Sequence, residues 1–159
     1  MDKLWAPWRT KYIKITRQKG CVFCKVSKPG RDEYLIFKTK YSFAVLNIFP
    51  YNNGHILIAP LRHIADISSL SKEESLDLMQ SLIKAKALLD KVLKAEGYNI
   101  GINLGKSAGA GITGHLHLHI VPRWAGDTNF MTTVSDAKVI SQSLKELHKQ
   151  LLNAQSKKH

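Results

Sequence analysis

Acidic residues are scarce in this chain: 12 Asp and Glu stand against 24 Lys and Arg over 159 residues, a formal net charge of +12. That imbalance favours anionic partners, either nucleic acid or a phosphorylated small molecule. Cysteine is scarcer still. Two residues cannot build a disulfide framework, and a cytoplasmic location is expected. Apolar runs are short: Ile56-Leu57-Ile58-Ala59 is typical, far below the ~18 residues of a membrane span. Met1-Asp2-Lys3-Leu4-Trp5 lacks the apolar core of a secretory signal. Repeats, low-complexity tracts and an interdomain linker are absent too, so residues 1–159 are expected to form one domain.

What remains is enough for a core, since 44% of the residues are hydrophobic. The charge is uneven. Residues 1–40 hold 11 basic and 3 acidic side chains, residues 41–100 hold 6 of each, and residues 101–159 hold 7 and 3. Residues 1–20, with Trp5, Trp8 and Tyr12, read as a basic aromatic arm; 21–131 as the core; 132–159 as a C-terminal helix and tail. Strand character marks 34–37, 43–48, 55–59, 98–103 and 115–121, with a turn at Asn52-Asn53-Gly54. A long helix is expected over 71–96, opened by a Ser71/Glu74 capping box and ended by Gly97, with Leu76, Met79, Ile83, Leu89 and Leu93 on its apolar face. A second helix is expected over 136–152 with Ala137, Ile140, Leu144, Leu147 and Leu151 on one face. The pattern predicts an α+β fold: an antiparallel meander of about five strands, one long helix on a face, and a C-terminal helix.

The segment from Gly114 to Arg123 alternates histidine with apolar residues. Side chains on a strand alternate between faces, so His115, His117 and His119 share one face, spaced roughly 7 Å apart. Leu116, Leu118 and Ile120 share the other. A solvated polar face or a polyhistidine metal site would use the same pattern, but imidazoles also suit proton exchange and nucleophilic chemistry near neutral pH. His55 and His63 lie in segments that can converge on the row. Directly before it comes a glycine-rich loop, residues 103–114, whose backbone N–H groups can approach phosphate oxygens closely. Asn103, Lys106, Ser107, Gly109, Gly111 and Thr113 are its candidate substrate contacts.

Cys21-Val22-Phe23-Cys24 is a C-x-x-C knuckle without a surrounding βαβ pattern, which disfavours a thioredoxin-type role. A second knuckle is missing, so a zinc site would have to be completed by histidines, with His63 and His115 as candidates. The alternative is a pair of ordinary thiols. A four-ligand zinc would be structural, because catalytic zinc keeps an open position.

His115-Leu116-His117-Leu118-His119-Ile120-Val121 resembles the signature of the histidine triad superfamily. The resemblance extends to Asn47, to the segment from Gly54 through Pro60, to Arg62-His63-Ile64 and to the Cys21/Cys24 knuckle. The stretch from Pro122 to Phe130, and Leu4-Trp5-Ala6-Pro7-Trp8-Arg9, are similar to the branch of diadenosine tetraphosphate phosphorylases and related hydrolases. The resemblance implies cleavage of dinucleoside polyphosphates at the α-phosphate. His117 would attack to form a nucleotidyl-histidine. Water would then release a nucleoside monophosphate, and inorganic phosphate a nucleoside diphosphate. It further implies a carbonyl beside His115 that sets the His117 tautomer, His119 on the α-phosphate, a supporting His55, Asn47 on the ribose, structural zinc on Cys21, Cys24, His63 and His115, and a homodimer in which two sheets join.

One departure stands out. Many relatives carry Gln and then Ser or Thr where this chain has Gly111 and Ile112. Ser107, Thr113 or backbone N–H groups of the loop would have to substitute. The other readings are a nucleoside phosphoramidate hydrolase, or a non-catalytic module binding nucleotide or nucleic acid. Nucleic acid is the weaker partner, since the chain shows no recognised nucleic-acid-binding motif.

Overall fold

The computed structural model describes residues 20–28, 30, 33–128 and 139–156. The expected arm with Trp5, Trp8 and Tyr12, together with Asn129, Phe130, Asp136 and Ala137, lies outside them. In chain order the elements are α1 (Val22–Val26), β1 (Leu35–Lys38), β2 (Ser42–Leu46), β3 (Ile56–Pro60), α2 (Lys72–Leu93), β4 (Gly97–Ile102), β5 (Leu118–Arg123) and α3 (Leu144–Ser156). The strands form one antiparallel sheet in the order β1-β2-β3-β5-β4. Thus α2 carries the chain across to an outer strand, β4, and β5 returns between β3 and β4. That return places the histidine segment beside β3 in the middle of the sheet.

Alternation along the strands splits the sheet into two faces. Ala44, Leu46, Ile56, Ile58, Leu118 and Ile120 face Leu78, Leu82, Ala85, Leu88 and Leu89 of α2 and Leu147 and Leu151 of α3, all in one buried cluster. Phe43, Val45 and Ala59 face the other way and are covered by Phe23 of α1. Both faces of β2 are therefore buried. Asn52-Asn53-Gly54 makes the turn into β3. Gly54 sits there at φ +79°, where a Cβ would lie 2.5 Å from Leu93 Cδ1.

Three sequence expectations are corrected. The long helix ends at Leu93, with Lys94 in the left-handed conformation (φ 48°), because Gly97 is already paired with Arg123 in the sheet. On that helix Leu76, Met79 and Ile83 are 61%, 51% and 62% exposed. The stripe one residue round, Leu78, Leu82, Ala85 and Leu89, meets the sheet instead, since two neighbouring stripes share the helical period. The C-terminal helix runs over Leu144–Ser156, whereas helix was expected already at 139–143. Residues 139–143 are irregular, and Ser143 Oγ accepts the Glu146 N–H to cap the first turn.

The predicted strand at 115–121 is also shifted: ladder pairing begins at Leu118 and runs to Arg123. His115 and His117 precede it. The His117 and His119 ring centroids are 5.0 Å apart, closer than the pleat of a fully paired strand suggests.

Candidate active site

β5 turns His119 away from the α2 core, and the segment before it carries His117 and His115. Behind His119 lies His55, the residue just before β3. Hydrogen-bond partners assign the proton positions. The Tyr51 N–H donates to His55 Nδ1 at 3.1 Å, so that nitrogen holds a lone pair; Asn47 Nδ2 reaches the same atom at 3.2 Å. His55 Nε2 must then carry hydrogen, and it donates to His119 Nδ1 at 2.9 Å. The remaining His119 nitrogen, Nε2, is left as an N–H donor. It is buried and has no partner among the described residues. A buried donor left unpaired costs about 1–3 kcal/mol, which a ligand's acceptor would recover.

His117 is fixed differently. Its Nδ1 lies 2.8 Å from the carbonyl of His115, which can only accept, so Nδ1 bears the proton and Nε2 the lone pair. Burial lowers the His117 pKa from its ordinary value, opposed by this bond. Burial, then the nearby His119 and His117, pushes His55 down to about 3. Burial, then His117, pushes His119 down to about 4. These rings are neutral at physiological pH. The site thus offers one unprotonated imidazole nitrogen and, on the adjacent ring, one free N–H.

The knuckle closes the row from the side. Cys21 Sγ lies 3.3 Å from His115 Nδ1, Cys24 Sγ lies 3.3 Å from His63 Nδ1 and 3.6 Å from His115 Nδ1, and the two Nδ1 atoms are 3.2 Å apart. All four donor atoms fall within 4.8 Å of one another. In a tetrahedral zinc site, bonds of ~2.0–2.1 Å to nitrogen and ~2.3 Å to sulfur separate neighbouring donors by about 3.3–3.8 Å. The donor set suits such a metal, and four of the six separations, 3.2–3.6 Å, are close to its spacing. His115 Nε2–H donates to the Pro60 carbonyl at 2.8 Å, turning its Nδ1 lone pair towards the thiols, the outer-shell bond usual for a ligating histidine.

Two residues that sequence reasoning passed over complete the surroundings. Phe23, inside the C-x-x-C motif, packs its ring 5.2 Å from His115 and 4.9 Å from His117. Tyr51 lies parallel to His119, 5.8 Å between centroids. Its signal was only an aromatic in a turn. Asn52 holds the Tyr51 loop down by donating to the Pro122 carbonyl and Asp127, and Asp127 is gripped by Arg123 at 2.6 and 2.9 Å. Arg123 therefore spends its charge on the scaffold. Among the described residues Lys106, Ser107, Gly109, Gly111 and Thr113 are exposed, and none hydrogen-bonds to the histidine row. A Cβ on Gly109 would lie 3.8 Å from Asn103 Nδ2. Asn47 is engaged with His55 and with the Phe49 N–H. Ile112 joins the cluster around Phe23.

An antiparallel sheet with a histidine row on one face and a long helix on the other defines the class of fold, and residues 28–126 match the family model of the HIT domain. The chain belongs to that family. It is 35% identical, over 161 aligned positions, to the AP-4-A phosphorylase of Mycobacterium tuberculosis, covering 95% of this chain and 83% of that protein. It is 33% identical over 137 positions to an adenosine 5'-monophosphoramidase of Saccharomyces cerevisiae, covering 86% and 84%. Among solved structures, a Zn-bound histidine triad family protein from Mycobacterium smegmatis superposes with a TM-score of 0.67 at 27% identity, covering 85% of this chain and 92% of that one.

Proposed function

We propose that the protein cleaves dinucleoside polyphosphates at the α-phosphate through a nucleotidyl-His117 intermediate, and that inorganic phosphate is its acceptor. The observation carrying this reading is the pairing of a His117 nitrogen free of hydrogen with the unpartnered His119 Nε2–H on the next ring. The His117 Nε2 lone pair attacks the α-phosphorus. A P–N bond forms, and the P–O bond to the departing phosphate chain breaks, its electron pair leaving on that oxygen as a phosphate anion that takes any proton from water. His119 Nε2–H donates to an α-phosphate oxygen as charge develops there. An acceptor oxygen then displaces His117. Likeness to the mycobacterial phosphorylase over nearly the whole chain favours phosphate over water as that acceptor.

Zinc on Cys21, Cys24, His63 and His115 would hold α1 against the row, and with four protein ligands it would be structural. A second copy is expected along β4. Among the described residues that outer strand pairs only with β5, Ile100 on it is 48% exposed, and the exposed Met79 and Ile83 continue into Lys86 and Asp90, which touch Tyr98 of β4.

The test is product analysis with diadenosine tetraphosphate. ADP that appears only when phosphate is added supports phosphorolysis; AMP plus ATP without phosphate means hydrolysis. Turnover of a nucleoside phosphoramidate with none of the dinucleotide would overturn the substrate assignment.

A further inference from the structure

The ladder that carries the histidine row stops short of the nucleophile. The upstream limit of β5 pairing is Leu118, which meets Ile58 on one side and Ile102 on the other. His117 and His115 lie beyond that limit, preceded by a loop whose Gly105, Gly109, Gly111 and Gly114 are all exposed. Yet the bond that aims the His117 ring ends on the backbone carbonyl of His115. A ring aimed by a carbonyl is only as fixed as that carbonyl.

Three attachments hold His115 in place. The Leu116 N–H donates to the Ile64 carbonyl at 2.6 Å, and His115 Nε2–H donates to the Pro60 carbonyl. Both acceptors lie in residues 60–64, a segment that Arg62 pins to Glu74 at the start of α2 with two bonds of 2.8 and 2.6 Å. The third attachment is His115 Nδ1 among Cys21, Cys24 and His63. Phe23 lies between the two thiols in the chain, 3% exposed, and presses on the rings of both His115 and His117.

We propose that Cys21, Cys24, His63 and His115, with Phe23 held between the thiols, form a positioning device for the His117 nucleophile, so that metal binding is coupled to nucleotidyl transfer. This rests on the reading of His117 as the nucleophile. Four donor atoms this close are mutually compatible when a cation draws their lone pairs together. Without one, only weak S–H and N–H contacts link the four groups, so the hold of His63 and the thiols on His115 slackens, and with it the seating of Phe23 against His117. His115 then keeps two attachments of three, one of them the Leu116 N–H in the same peptide as its carbonyl, and that peptide and the ring it aims are held less firmly. Such loosening costs rate steeply, because a displacement of about 1 Å at a reacting group can cost about 100-fold. A purely structural metal would lower the melting temperature and leave the His117 hydrogen bond as it is.

The experiment reads the ring itself. In zinc-loaded protein labelled with 15N-histidine, long-range 1H–15N spectra should show His117 as a single tautomer with hydrogen on Nδ1. After chelation the His117 signals should move towards the average of two tautomers. His63→Ala should lower kcat by about 10- to 100-fold with KM little changed, and His63→Cys, which restores a fourth ligand, should recover most of it. If metal-free protein unfolds, zinc-loaded Phe23→Leu takes its place, with zinc content unchanged and the His117 tautomer averaged. A His117 signature and kcat indifferent to chelation, to His63→Ala or to Phe23→Leu overturn the proposal. A zinc-dependent tautomer in a protein that turns over no dinucleoside polyphosphate instead overturns the proposed function and leaves the positioning standing.

Discussion

His55 Nε2 stands 2.9 Å from His119 Nδ1, and because the Tyr51 N–H occupies the far nitrogen of His55, that single contact determines which end of His119 carries hydrogen. His55 touches no open cleft; it acts through its neighbour. His55→Phe, which keeps the ring volume and removes both nitrogens, is expected to free the His119 tautomer. It should reduce kcat by about 10- to 100-fold while the fold persists. Steady-state kinetics with a circular dichroism control checks this, and unchanged kcat would show that the His119 tautomer does not depend on His55.

His117→Ala removes the nitrogen proposed to attack, from a ring that is 5% exposed. Turnover should fall by at least about 1,000-fold, with nucleoside monophosphate binding retained in calorimetry. Near wild-type turnover would falsify the nucleophile assignment.

The histidines also set a pH signature. In the proposed mechanism neutral His117 is the reactive form, and burial lowers its pKa, so the acid limb of kcat/KM should fall below the ordinary histidine value of 6.5. Stability follows the lowered values of His119 and His55, about 4 and about 3. As pH drops below 6.5 the unfolded chain takes up protons that these folded rings refuse. Unfolding free energy therefore declines with falling pH and flattens once His119, then His55, protonates in the folded state. Urea midpoints from pH 8 to pH 4 read the slope. Equal midpoints at both ends, with His55 and His119 replaced individually as controls, would contradict it.

Gly54 should not accept a side chain. At φ +79° an alanine is strained, and its Cβ would meet Leu93 Cδ1 at 2.5 Å, Pro122 Cγ at 3.0 Å and Leu89 Cδ2 at 3.1 Å. Gly54→Ala is expected to cost about 2–4 kcal/mol, measured as a shift in urea midpoint. A loss below about 0.5 kcal/mol would mean the turn relaxes freely.

Ile83→Glu combined with Ile100→Lys puts charge on the exposed apolar strip beside β4, where a second copy is expected. Analytical ultracentrifugation should show the wild type as a dimer and the variant as a monomer with its circular dichroism spectrum intact. A monomeric wild type rules out that contact under the conditions used.

Local periodicity made much of the fold legible. Alternation in Phe43–Leu46 and Ile56–Ala59 separates two buried faces, and Ser71 with Glu74 marks the helix start, because these are properties of neighbouring residues. The helix end was misread because the signal at Gly97 was real but belonged to the sheet. The exposed stripe of Leu76, Met79 and Ile83 was misread because periodicity reports a face without reporting what lies opposite. The Ser143/Glu146 cap was present in the sequence but hidden by an apparent helical repeat that began earlier.

The sequence by itself determined the kinds of chemistry available: alternating histidines, a thiol knuckle, a glycine-rich approach and a surplus of positive charge. Tertiary structure alone decided which partners these groups meet. Cys21 lies 94 positions from His115 in the chain but 3.3 Å away in space, and His55 lies 64 positions from His119. Proton positions on the imidazoles depend on those partners, because a neutral ring assigns its donor and its lone pair by what faces each nitrogen. No local pattern carries that information. It arises when β5 returns beside β3 and brings the histidine row against His55 and the knuckle.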